Sequence, residues 1–302
     1  MSRSKGTIGL VLCLVSLLSL SACVSTPAQA SPTLNLTILH TNNVEGELDP
    51  CTCLMDSAGG APRRSTAVSQ QRAQYPDLFL VDSGDALFGT PESDANRGIA
   101  YVKAMNVMRY DAAALGDQEF MYGLDVLQAA IDQAQYPYLS ANVVYSDTQQ
   151  PFVRDSIVIE RNGVRVAFIG LTSPDVAAYL QADAKMSATL EVLDPIKTAR
   201  AKVSELRDQA DAVIILSDLG SALDRRLIRS VSGITAIIGG HSREVIQPEN
   251  ERIAVPLVQM GFQGDQLGVL HLGVDSNGRT VQVQSDSIRL SREIATDPQI
   301  LA

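Results

Sequence analysis

The chain has 302 residues, of which 45% are hydrophobic and 19% charged, and its formal net charge is −10. This is ordinary globular composition, with enough chain to bury a core as one large domain or two small ones. The acidity, without any basic run or aromatic-basic interleaving to offset it, argues against a nucleic-acid or anionic-membrane binding face.

At the N-terminus Arg3 and Lys5 precede an apolar run over residues 8–20, which ends Leu20-Ser21-Ala22-Cys23. The segment resembles a lipoprotein export signal, in which small residues fit a peptidase pocket and the Cys23 thiol receives the lipid. A plain secretory signal and an uncleaved anchor are the alternatives, the latter short against the roughly 20 residues that span a bilayer. Residues 1–22 are therefore expected to be a signal, 23–33 a lipidated, proline-bearing tether, 34–290 one domain and 291–302 a tail. Removing residues 1–22 takes away Arg3 and Lys5 and moves the charge from −10 to −12. The expectation is an exported, envelope-anchored protein that touches the membrane through its lipid only.

Leu34, Leu36, Ile38 and Leu39 predict a first strand, and His40, Thr41, Asn42, Asn43, Glu45 and Glu47 crowd the loop after it. A helix is predicted from Pro62 to about residue 74, then a strand over 77–82, a helix over 94–108, a strand over 112–115, a helix over 124–134 and a strand over 138–141. This alternation implies βαβ units around a mainly parallel centre. From Ser156 the pattern changes to two β-branched runs joined by Asn162-Gly163, a hairpin signal. A helix from Asp194 to about 209, a strand over 212–216, a short helix over 223–231 and strands over 234–238, 256–259, 267–274 and 280–285 complete the chain.

Five apolar runs end in polar loops, and in open α/β sheets such loops form the ligand crevice. The sequences HTNNVEG, GGAPRR, LVDSGDALFG, ALGDQEFMYG, SANVV, FIGLTSP, IILSDLG, IIGGHSRE and VPLVQMGFQGDQLGVL occur in that order. Together they resemble the metallophosphoesterase (calcineurin-like) domain of the bacterial periplasmic 5′-nucleotidase family, over nearly all of residues 34–290. The resemblance implies an α/β fold of two mixed β-sheets in a four-layer sandwich flanked by helices. It also implies two divalent metals between the strand-end loops, activating water for in-line attack on phosphorus.

Position by position the site departs from that pattern. Where the family has an Asp and a His in the first loop, this chain has Asn43 and Glu45. Asp85 matches the Asp that bridges the metals. Asp117 replaces an Asn ligand, and Gln118 replaces the His that steadies the transition state. Asp218 replaces a His, His241 is retained, and Arg243 stands for the second His of the fifth loop.

Only Asp85 and His241 match, so a dinuclear zinc or iron site rich in imidazoles is not expected. The resulting cluster of Glu45, Asp85, Asp117, Asp218 and His241 suits Mg²⁺, Mn²⁺ or Ca²⁺, with Asn43 or Arg243 on the phosphoryl oxygens. Such carboxylates also serve as ordinary loop and cap residues. His40, His271 and Asn142 read as packing or support residues. Arg63, Arg64 and Arg97 have the charge to attract phosphate, although the Arg63-Arg64 pair reads as the solvated start of a helix.

Cys51 and Cys53 lie in the loop leaving the first motif, where a C-x-C pair closes a strained local disulfide, binds a soft metal or exchanges electrons. The family continues into a C-terminal domain whose aromatic pair grips the nucleoside base, and SREIATDPQILA resembles only the start of that connection. Nucleotide specificity is thus not expected from these residues. The expected function is hydrolysis of a small phosphorylated substrate. The alternatives are an inactive scaffold for an envelope protein or ligand, and a thiol role through Cys51 and Cys53.

Overall fold

The computed structural model describes residues 32–49, 58–248 and 254–301, so the signal segment, Cys23, Cys51 and Cys53 lie outside the described residues. Among these residues the strands are β1 (Leu34–Thr41), β2 (Phe79–Asp82), β3 (Ala112–Ala114), β4 (Tyr138–Leu139), β5 (Val143–Tyr145), β6 (Ser156–Arg161) and β7 (Val164–Leu171). They continue with β8 (Leu190–Val192), β9 (Ala212–Ser217), β10 (Ala236–Gly239), β11 (Val245–Ile246), β12 (Leu257–Met260), β13 (Gln266–Val274) and β14 (Thr280–Arg289).

One sheet has the order β14-β13-β1-β2-β3-β4 and the other β11-β12-β10-β9-β7-β6, with β5 and β8 paired separately. β1 to β4 run parallel, β13 pairs antiparallel with β1, and β14 pairs antiparallel with β13 at the edge. In the second sheet β7, β9, β10 and β12 are parallel, with β6 and β11 antiparallel at the edges. The β6–β7 hairpin turns at Asn162 and Gly163, both with positive φ, the conformation that an Asn-Gly turn favours.

Strand alternation decides what each face buries. Leu36 and Ile38 of β1, Phe79 and Val81 of β2 and Ala112 and Ala114 of β3 meet Val166, Phe168, Ile214, Leu216 and Ile238 across the sandwich. Phe79 and Phe168 pack with ring centroids 5.4 Å apart. The opposite face of the first sheet is covered by helices Ala61–Gln74, Ile99–Met108 and Leu124–Gln133. The opposite face of the second is covered by Pro195–Leu206 and Ser221–Ser230. The result is the expected helix–sheet–sheet–helix sandwich, in which each fully buried large apolar side chain stabilises by about 1.5–3 kcal/mol.

Several local expectations are corrected. The single helix over 94–108 is two, Pro91–Ala95 and Ile99–Met108, because Gly98 adopts φ 73 between them. Thr90 starts the first: its Oγ1 accepts from the Ser93 N–H at 3.1 Å. The helix after Asp194 ends at Leu206, its last core contact, rather than near 209. Two helices, Val176–Ala182 and Ala184–Thr189, fill a stretch that the apolar pattern left unassigned.

Arg64 does not solvate its helix. It shares the inward face with Ala61 and Val68 and is fully buried, with Nη1 donating to Tyr101 Oη at 2.5 Å and Nη2 to the Gly264 carbonyl at 2.9 Å. No helix among the described residues is long and apolar enough to cross a membrane.

Candidate metal centre

The C-terminal ends of parallel strands from both sheets converge, and the chemistry-bearing loops leave from those ends. Asn43 and Glu45 follow β1, Asp85 follows β2, Asp117 and Gln118 follow β3, Asp218 follows β9, and His241 and Arg243 follow β10. Asn43, Glu45, Asp85, His241 and Arg243 all hold positive φ, between 44° and 64°. Left-handed backbone costs a non-glycine residue on the order of 1–3 kcal/mol and persists only where surroundings fix it. Of these five, Asn43, Glu45 and Asp85 are buried. Gly116 permits the closest approach, since a Cβ there would lie 2.2 Å from Asp85 Oδ1.

Asp85, Asp117, Asp218 and His241 each bring one potential ligand atom to within 4.8 Å of the others. His241 Nδ1 lies 3.1 Å from Asp117 Oδ1 and 3.9 Å from Asp218 Oδ2. The structure therefore brings together four of the five residues read as ligands. The fifth, Glu45, turns instead to Arg243, whose Nη2 is 2.7 Å from its Oε1. Asn43 Nδ2 donates to Asp85 Oδ2 at 2.9 Å, and Gln118 gives the same carboxylate both its backbone N–H at 3.1 Å and its Nε2 at 3.2 Å.

The electrostatics of this group are unbalanced. Burial raises the Asp85 and Asp218 carboxyls well above the ordinary range; the charges of Glu119 and Asp117 add to both rises, and that of Asp85 adds to the rise at Asp218. Burial also raises Glu45, with the Arg243 charge pulling the other way. The hydrogen bond to Asp117 raises His241, against its own burial. Asp218 is wholly buried and its Oδ1 has no hydrogen-bond partner. An orphaned, buried carboxylate oxygen among acids is costly unless a proton or a cation sits beside it. Three carboxylates and one imidazole are the donor set of a hard divalent cation, so the residues present fit one.

Two participants, Glu119 and Asp175, escaped the sequence reading, and Asn42 figured there only as one of the polar residues of the first loop. Glu119, fully buried, accepts the backbone N–H groups of Asp85 (3.0 Å), Ala86 (2.8 Å), Leu87 (3.1 Å) and Gly116 (2.7 Å), and so ties two loops together. It lies inside the GDQEF run, which was its only signal. Asp175, just after FIGLTSP, reaches His241 Nε2 at 3.2 Å. Asn42 donates through Nδ2 to Asn43 Oδ1 at 3.1 Å and to the Gly261 carbonyl at 2.7 Å.

The remaining candidates lie elsewhere. Asn142 bridges to Thr172, donating to its carbonyl at 2.8 Å and accepting its N–H at 2.9 Å, a support role. His40 is buried against Gly268 with neither ring nitrogen bonded, and burial lowers it to about 3. His271 pairs with Thr37 at 3.0 Å and packs on Tyr75. Arg97 lies over the Tyr122 ring at 4.6 Å.

No family model matches the chain. Among curated proteins it is similar to a snake venom 5′-nucleotidase from Naja atra, 30% identical over 305 residues, covering 88% of this chain and 55% of the relative. A 2′,3′-cyclic-nucleotide 2′-phosphodiesterase/3′-nucleotidase from Salmonella typhimurium is 28% identical, covering 83% of this chain and 45% of the relative. Among solved structures, a 5′-nucleotidase precursor from Thermus thermophilus superposes with a TM-score of 0.79 at 27% identity, over 89% of this chain and 58% of that one. The calcineurin-like phosphoesterase YfkN from Bacillus subtilis superposes with a TM-score of 0.77 over 88% of this chain and 94% of that one; at 22% identity it speaks to the fold alone. The chain spans about half the length of the curated relatives it matches.

Proposed function

Because the chain belongs to the family of 5′-nucleotidases and calcineurin-like phosphoesterases, we propose that it hydrolyses small phosphoesters, using a divalent cation held by Asp85, Asp117, Asp218 and His241. The observation that carries this reading is the convergence of those four ligand atoms at the strand-end crevice, with Asp218 Oδ1 left unpartnered. When bound, such a cation polarises phosphoryl oxygens and supplies a hydroxide near neutral pH.

The chain's own groups prepare the site. Gln118 and Asn43 orient the Asp85 carboxylate through three donated hydrogen bonds. Asp117 and Asp175 hold the two His241 ring nitrogens from opposite sides, which fixes the plane of the imidazole. To act as a ligand His241 would have to be neutral, with one ring nitrogen given up by its carboxylate partner, so a cation would bind more strongly as pH rises.

The test is turnover of p-nitrophenyl phosphate, bis(p-nitrophenyl) phosphate and AMP with Mg²⁺, Mn²⁺, Ca²⁺ or Zn²⁺. Turnover lost on adding EDTA and in Asp85→Asn supports the reading, whereas no turnover with any of these cations overturns it. The Glu45–Arg243 ion pair, where the resemblance implies metal ligands, favours a second reading: an inactive binding protein of the cell envelope. Export and lipidation at Cys23 belong to the same proposal, tested by labelling with a palmitate analogue in Cys23→Ala and wild-type cells. A thiol role for Cys51 and Cys53 would require a Cys51→Ser/Cys53→Ser variant to lose activity.

A further inference from the structure

The crevice has two unlike halves. In the half lined by Asp85, Asp117, Asp218 and His241, three carboxylates face a single imidazole and the buried Asp218 Oδ1 lacks a partner. In the half lined by Asn43, Glu45 and Arg243, Asn43 donates to Asp85, and Glu45 Oε1, although it makes no hydrogen bond, faces the positive charge of a guanidinium. Glu45, 8% exposed, meets the Arg243 guanidinium at 2.7 Å. Asn42 fixes the Asn43 amide by donating to its Oδ1, so that Asn43 turns Nδ2, a donor, toward Asp85 Oδ2. A cation entering this half would meet an N–H group and a guanidinium in place of lone pairs.

We propose that the centre takes one divalent cation and not two, and that Arg243 supplies the second positive charge as a fixed side chain that binds the anionic oxygens of a phosphorylated substrate. The cation half of this statement rests on the reading given above; the Arg243 half rests on the ion pair and the amide orientation. Arg243 is built for the task. It sits two residues after His241 on one turn, both with positive φ, so the same loop presents a ligand and a cation side by side. Its Cζ lies over the Phe262 ring, 5.9 Å from the centre, within cation–π reach. Its side chain is 49% exposed, and a guanidinium has five N–H donors, so pairing with Glu45 leaves donors for an incoming oxyanion. Unlike a metal, it never dissociates and never deprotonates near neutral pH.

Binding measurements decide this without relying on turnover. Protein stripped with chelator is titrated with Mn²⁺ calorimetrically, and bound manganese is counted by elemental analysis after desalting. One manganese per chain is expected. Asp218→Asn should weaken Mn²⁺ at least tenfold, while Glu45→Gln should change neither the count nor the affinity by more than about threefold. For the manganese-loaded protein, Arg243→Gln should weaken inorganic phosphate at least tenfold with the manganese count still one, and Arg243→Lys should recover part of that loss. Thermal melts confirm that each variant is folded.

Two manganese per chain, none, or phosphate affinity untouched in Arg243→Gln would overturn the proposal. One manganese with Arg243-dependent phosphate binding but no turnover would sustain it while removing the hydrolase reading. Two manganese with turnover would do the reverse.

Discussion

The side-chain amide of Asn43 and the carboxylate of Asp85, 42 positions apart, are joined by a hydrogen bond of 2.9 Å at the seam between the two halves of the crevice. Asn43→Asp replaces the donor with a second buried carboxylate. Without cation at pH 8, a loss of about 2 kcal/mol is expected, shrinking at pH 5 as one of the pair takes up a proton. Denaturant midpoints at the two pH values check this, and an equal deficit at both would defeat it.

Glu119 accepts four backbone N–H groups from two loops. Glu119→Ala leaves those donors buried and unmatched, and a loss of about 4 kcal/mol is expected. Glu119→Gln, which keeps one acceptor oxygen, should lose about half as much. Urea midpoints give the values.

Buried acids predict a stability that falls with pH. Burial raises Asp82 from its ordinary 3.8 to about 7, and Asp224 likewise to about 7, so the folded chain holds protons that the unfolded chain has lost. Their contribution is present below pH 4 and is lost as pH rises through 7. His40 acts oppositely: lowered to about 3, it makes the unfolded chain bind the extra proton, so its contribution grows between pH 3 and 6.5. Asp82→Asn and Asp224→Asn should each flatten the decline between pH 5 and 8, measured by chemical unfolding. A slope unchanged in both variants would count against these assignments.

The Arg64 guanidinium spans the interior from its helix to Tyr101 and the Gly264 carbonyl. Arg64→Ala removes both bonds and leaves a cavity, with an expected cost of about 3–5 kcal/mol. Arg64→Met, which fills the volume, should cost less. Melting temperatures of the two variants provide the comparison.

Gly116 lies against Asp85, and Gly116→Ala would place a methyl group 2.2 Å from Oδ1. The carboxylate must move, so Mn²⁺ affinity should fall at least tenfold, read by calorimetry.

Much of this was legible in the chain. The β/α alternation, the Asn162-Gly163 turn and the order of the polar loops anticipate both sheets and the convergence of Asp85, Asp117, Asp218 and His241. What stayed hidden depends on partners distant in sequence. Glu45 looks like a fourth carboxylate ligand until Arg243, nearly 200 residues on, claims it. Arg64 follows an apparent helix start, and only its phase on the helix turns it inward. Glu119 works through main-chain groups, which have no signature in residue type.

The grip of Glu119 on the surrounding amides means that the vessel does not take its form from its contents. Ions of different radius would meet the same walls, and choice among them would follow the cost of stripping their own water rather than any reshaping of the protein. An ion held there would therefore be sorted by its radius and by the cost of shedding its water, because walls that do not adjust admit one size best.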